Sequence, residues 1–274
     1  MPPSIRPVRL NHLNLVMADF EATIAHFRSL YGADFLADYP QAQLHAGLFE
    51  IGGVIFEPFV PLAWFLNARY GPHYLGVEYQ ADIDMVRAAI AERGIRIVRN
   101  VGPALHTHPD DTLGIAFQFY EGEFTQRTWD LLGGARMKPA SYWRDEHPLG
   151  ITGLAAYSIA VEDMDAAIAF LTAFLSAEQV REERRDHIGA QAVVLRIAGS
   201  MVDVLAPNGA GAIRRHLDRY GPGIRSTLFS VHDMAAVRDY FAAAGVALAV
   251  GDRPDGLMVP AEANLGIPFE FVAT

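Results

Sequence analysis

The 274-residue chain has no cysteine, so disulfides, thiolate metal sites and a cysteine nucleophile are excluded. Its net charge of -10 repels phosphate backbones and sets nucleic acid aside as a partner. No apolar run reaches the ~18 residues of a membrane span, and MPPSIRPVRL lacks the apolar core of a signal peptide, so the expectation is a cytoplasmic protein without a membrane partner.

The first element in chain order is an alternating strand from Arg9 to Met17. Leu13, Leu15 and Met17 share one face, and His12, Asn14 and Val16 the other. A helix near Phe20 to Tyr31 follows, with Phe20, Ile24, Phe27 and Tyr31 at helical spacing and Asp19 placed to cap it. A strand from Val54 to Phe59 holds Glu57 between Phe56 and Pro58. The pattern then recurs: a strand from His73 to Tyr79, a helix from about Met85 to Arg93 stopped by Gly94, and strands at Ile95 to Val98 and Gly114 to Tyr120. The last of these holds Gln118 between Phe117 and Phe119. His106 and His108 fall in a stretch, HTHPDD, that reads as a solvent-exposed loop. MKPASYWRDEHPLG, from Met137, is polar and without period, which reads as a linker.

Beyond the linker the chain repeats itself. LNHLNLVMADFEATIAHFRSLYGA from Leu10 matches LAAYSIAVEDMDAAIAFLTAFLSA from Leu154. EIGGVIFEPFVP matches RIAGSMVDVLAP, and RYGPHYLGVEY matches RYGPGIRSTLF. VRAAIAERGIRI matches VRDYFAAAGVAL, and TLGIAFQF matches NLGIPFEF. Ordered matches of this kind establish a duplication. Each half divides again, so a unit of strand, helix and further strands occurs four times, in two domains spanning residues 7–135 and 150–274.

Polar side chains stand at matched places in the first half. His12 precedes Glu57 by 45 positions, and His73 precedes Gln118 by 45. Two imidazoles, a carboxylate and an amide oxygen form a donor set for a divalent metal with positions left to water or substrate. A buried carboxylate needs a partner, so Glu57 is expected to be exposed, paired or metal-bound. In the second half these places read Ala156, Asp203, Gly223 and Glu270, with no histidine. Walker A, dinucleotide, HExxH and GxSxG motifs are absent from the sequence.

The four-unit layout resembles the glyoxalase, bleomycin-resistance and dioxygenase superfamily, also called vicinal oxygen chelate, over nearly the whole chain. In the first half, NHLNLVMADFEATIAHF, GPHYLGVEYQADID and THPDDTLGIAFQF look most like the methylmalonyl-CoA epimerase and glyoxalase I branch. The resemblance implies an α+β fold of tandem βαβββ units, paired into two glyoxalase-like domains with curled mixed sheets. It implies a metal site of His12, Glu57, His73 and Gln118, and a divalent ion (Zn, Ni, Co, Mn or Fe) that polarises a substrate oxygen. The sequence departs from that branch at Gln118, where a glutamate that can act as base is usual, and at Gln80, often acidic there.

Three functions follow from this reading. The first is an isomerase, epimerase or lyase in which Glu57 is both ligand and catalytic base. The second is an extradiol-type dioxygenase using His12, His73 and Glu57 with Fe(II); family dioxygenases of this length usually hold their metal in the other half. The third is a metal-free protein that sequesters a small molecule. In each case the partner is a small, partly apolar, oxygen-bearing molecule, with Trp64, Phe65 and Tyr70 as candidates to line its site. A homodimer is left open.

Overall fold

The structure is a computed structural model and describes residues 3–62, 70–100, 103–122 and 136–274. Its elements come in four βαβββ quarters. The first is β1 (Arg9–Val16), α1 (Phe20–Tyr31), β2 (Asp34–Pro40), β3 (Leu44–Ile51) and β4 (Val54–Pro61). The second is β5 (His73–Gln80), α2 (Ile83–Arg93), β6 (Ile97–Asn100), β7 (Ala104–Thr107) and β8 (Ala116–Tyr120). The third is β9 (Ile151–Ala160), α3 (Met164–Leu175), β10 (Glu178–Arg185), β11 (Ala190–Ile197) and β12 (Ser200–Pro207). After an inserted helix α4 (Ala212–Tyr220), the fourth is β13 (Gly223–Val231), α5 (Met234–Ala243), β14 (Ala249–Val250), β15 (Leu257–Val259) and β16 (Phe269–Ala273).

The first two quarters form one eight-stranded sheet, in the order β2-β3-β4-β1-β5-β8-β7-β6. The last two form a second, β10-β11-β12-β9-β13-β16-β15-β14. The two orders are the same order shifted by eight strands, so the duplication read from the sequence is a duplication of topology. Both sheets are mixed, as the α+β expectation requires: β5 runs parallel to β8, and β7 antiparallel to it.

Local chemistry accounts for the helices. Asp19 Oδ1 accepts the N–H of Ala22 at 2.7 Å, and Gly32, at φ +65°, ends α1 in the left-handed conformation. Asp82 and Gly94 do the same for α2. The apolar stripe of α1 is buried, and Phe27 stacks on Phe49, which stacks on Phe56, with ring centroids 4.6 and 5.2 Å apart.

By contact the chain forms two compact units that interleave along the sequence. One contains residues 1–12, 75–124 and 156–225, and the other residues 13–74, 125–155 and 226–274. In the first, Phe117 and Phe119 meet Phe174 of α3, with centroids 6.1 and 6.0 Å away. In the second, Phe269 packs on Phe27 and Phe56. In that unit Asn264, fully buried, accepts from Tyr31 and contacts His26 Nε2 at 2.8 Å.

The stretch read as a linker is not a bare connection. Tyr142–Glu146 forms one π-helical turn and buries Trp143 completely, and Lys138 of the same stretch pairs with Asp34 at 3.1 Å. Among the described residues no helix is long and apolar enough to cross a membrane.

Candidate active site

The carboxylate of Glu57 on β4 is buried and is held by two donors in its own unit. Asn14 Nδ2 donates to one oxygen at 2.8 Å, and the Tyr39 hydroxyl donates to the other at 3.0 Å. Each oxygen of the Glu57 carboxylate thus has a hydrogen-bond donor.

His12 on β1 is 1% exposed, and its Nε2 lies 3.3 Å from Oε1 of Glu78 on β5, also 1% exposed. Asn11 Nδ2 donates to the same oxygen at 2.9 Å. Gln118 on β8 stands directly opposite Glu78, and His106 on β7 stands directly opposite Gln118. One compact unit thus carries Glu78, Gln118 and His106 in a row across three strands, with His12 against the end of the row. Burial pushes the imidazole of His106 down to about 3, with Arg99 and His12 adding to the shift, so it is neutral at ordinary pH. The loop expected at His106 is therefore a strand, and only His108, capping a short turn, begins the irregular part.

Register shows which residue of the second quarter matches His12. In the second half Asp203 stands opposite Ser158. In the first half their counterparts are Glu57 and Asn14, joined by the bond just described. The counterpart of Glu57 in the second quarter is Gln118, and it stands opposite Glu78. Glu78 is therefore the counterpart of Asn14, and Gly76, two residues earlier, is the counterpart of His12. Gly76 has no room for a side chain: an added Cβ would lie 2.0 Å from the carbonyl oxygen of Ala116.

His73 opens β5, three residues before Gly76, and alternation sets it on the face opposite Glu78. Its Nδ1–H donates to the Gly71 carbonyl at 2.6 Å, and burial lowers its basicity. Tyr70 packs edge-on against it at 5.8 Å, while Trp64 and Phe65 lie outside the described residues. The sequence pointed to His12, Glu57, His73 and Gln118 as metal ligands but passed over Glu78, Asn11 and Tyr39. Glu78 is flanked by Val77 and Tyr79, the same signal of one polar residue among large apolar ones that singled out Glu57 and Gln118.

The donors present, imidazole, carboxylate and amide oxygen, suit a divalent metal in kind. Among the described residues no group of three or more His, Asp or Glu is gathered closely enough to hold one.

The glyoxalase/bleomycin resistance protein/dioxygenase superfamily model matches residues 153–263, the half without histidines at the candidate places. A mutant of 4-hydroxymandelate synthase from Streptomyces coelicolor superposes with a TM-score of 0.73 over 97% of this chain and 92% of its own, at 16% identity. An extradiol ring-cleaving dioxygenase from B. fuscum gives 0.66 over 99% and 73%, at 13% identity. Methylmalonyl-CoA epimerase from Mycobacterium tuberculosis is 27% identical over 45% of this chain and 88% of its own, but its TM-score of 0.42 carries no argument for that branch. No curated protein matches the chain. The second half thus matches the model of the glyoxalase/bleomycin resistance protein/dioxygenase superfamily, and the chain as a whole shares the repeated βαβββ fold of the two structures that span nearly its length.

Proposed function

We propose that the chain is a metal-dependent enzyme that moves a proton beside a carbonyl of a small, partly apolar substrate, as an isomerase, epimerase or lyase. The observation that carries this reading is the buried contact of His12 with Glu78, in line with Gln118. These three residues, from one compact unit, are the proposed ligands, with Glu78 in the part that the sequence gave to His73. A divalent ion bound there would polarise the substrate carbonyl and acidify the neighbouring C–H. Gln118 cannot take a proton, so it binds and orients only. Glu57, read from the sequence as the base, keeps two donors in its own unit, Asn14 and Tyr39.

A second reading has its own observation. An extradiol ring-cleaving dioxygenase shares the fold over 99% of this chain, which supports a ring-cleaving dioxygenase as the alternative. Metal analysis of untagged protein, before and after anaerobic loading with Fe(II), Mn(II), Co(II), Ni(II) or Zn(II), tests both. About one ion per chain, lost in His12→Ala, is expected. Oxygen uptake with Fe(II) and catechols would favour the second reading. A wild type that holds none of these ions leaves the sequestering protein as the better account.

A further inference from the structure

The second half carries a buried ion chain of its own, inside the unit of residues 1–12, 75–124 and 156–225. Asp203 is the fourth residue of β12, as Glu57 is the fourth of β4. It is fully buried and stands opposite Ser158 of β9 and Val194 of β11. A carboxylate in such a place needs a positive partner or a network of donors.

Arg185, the last residue of β10, supplies the positive charge. Its side chain is fully buried, and Nη2 donates to Asp203 Oδ2 at 2.7 Å. Nη2 and Nε also donate to Glu183 Oε1, the latter at 2.9 Å. The other oxygen of Glu183 accepts from Arg181 Nε at 3.2 Å. Arg181, Glu183, Arg185 and Asp203 thus alternate in sign and sum to zero, from a half-exposed end at Arg181 to a buried end at Asp203. The Nη1 of Arg185 is buried, with no hydrogen-bond partner among the described residues. A guanidinium is held at this depth without all its donors satisfied, which points to its charge as what the place requires.

We propose that Arg185 is the built-in cation of the second half: its guanidinium neutralises Asp203 at the place where the first half carries Glu57, and so closes this half to metal ions. The duplicated carboxylate position then has two solutions in one chain, polar donors in the first copy and a covalently attached positive charge in the second. Without the guanidinium, Asp203 and Glu183 would be two carboxylates sharing one pocket, an arrangement that attracts a hard divalent cation.

Four variants test this: Arg185→Met, Arg185→Lys, Asp203→Asn and the double variant Arg185→Met/Asp203→Asn. Arg185→Met should lower the melting temperature by on the order of 10 °C, because it removes the buried cation that Asp203 faces. Adding Asp203→Asn should recover more than half of that loss, and Arg185→Lys should stay closer to wild type than Arg185→Met. In equilibrium dialysis against millimolar MnCl2, Arg185→Met should hold one Mn(II) per chain more than wild type, whatever the wild-type count, and the double variant should not. If Arg185→Met is insoluble, recovery of soluble protein in the double variant supports the proposal, and its equal insolubility overturns it. The proposal also falls if Arg185→Met melts like wild type, if Asp203→Asn adds a further loss to it, or if no extra Mn(II) is bound. Because the count is relative, failure here leaves the first-half reading untouched.

Discussion

The Nε2 of His12 and the Oε1 of Glu78 lie 3.3 Å apart with both side chains buried, and the same oxygen accepts from Asn11 at 2.9 Å. At this depth a carboxylate is held by its neighbours, and they in turn depend on it.

Glu78→Ala should therefore destabilise the protein by about 2–4 kcal/mol, since it removes the buried acceptor of Asn11 Nδ2 and the carboxylate beside the His12 ring. Glu78→Gln keeps an acceptor and should cost about half as much. Urea denaturation of the two variants checks the order; equal losses would mean that volume rather than the polar contact matters.

Stability should fall with rising pH through Glu50, which stands opposite Asp34 at the start of β2. Burial raises its carboxyl from 4.5 to about 7, with the Asp34 charge adding and the Gly53 N–H opposing. The folded value is above the unfolded one, so the contribution is fully present below pH 4.5 and is lost as pH climbs through 7. The loss is on the order of 3 kcal/mol. Glu50→Gln should match wild type at pH 4.5 and exceed it at pH 8 in urea midpoints; parallel curves at both pH values would refute the assignment.

Gly76→Ala should prevent stable folding. The new methyl would sit 2.0 Å from the Ala116 carbonyl oxygen and 2.8 Å from its carbon, and backbone atoms of a paired strand cannot step aside. Soluble yield and the far-ultraviolet melt of the variant are the measurements, with a wild-type melt as the contrary result.

Asn264→Ala should cost about 2–4 kcal/mol, because the Tyr31 hydroxyl donates to its side-chain oxygen, which also contacts His26, and its amide donates to the Ile267 carbonyl. Asn264→Asp should also destabilise, by removing the amide donor and adding a buried charge. Chemical denaturation distinguishes these losses from the near-zero change expected of a surface residue.

The sequence made the repeats and the capped helices legible for physical reasons. Asp19 and Gly32 mark the ends of α1 by side-chain and backbone chemistry that acts within a few residues. The strands β2, β3 and β7 and the helix α4 went unread. Leu44–Ile51 is nearly all buried and so lacks clean alternation, and β7 is only four residues long. At the site, composition exposed Glu57 and Gln118 as polar residues among large apolar ones. It could not show that His73 and Gln118, despite their matched spacing, belong to different faces. That depends on the pairing of β5 with β8, which opposes Gln118 to Glu78 and is set by contacts distant along the chain.

The interleaving of the compact units also sets an order of assembly during synthesis. One unit is complete when residue 225 has been made; the other joins residues 13–74 to residues 226–274. At the ~5–20 residues per second of translation, the first quarter waits roughly 10–40 s for its last partner strand. Through that interval Phe27 and Phe56 have Phe49 beside them but lack Phe269. The nascent chain therefore carries these two rings without their Phe269 partner through that interval, and chaperone occupancy in the cell should concentrate on α1 and β4.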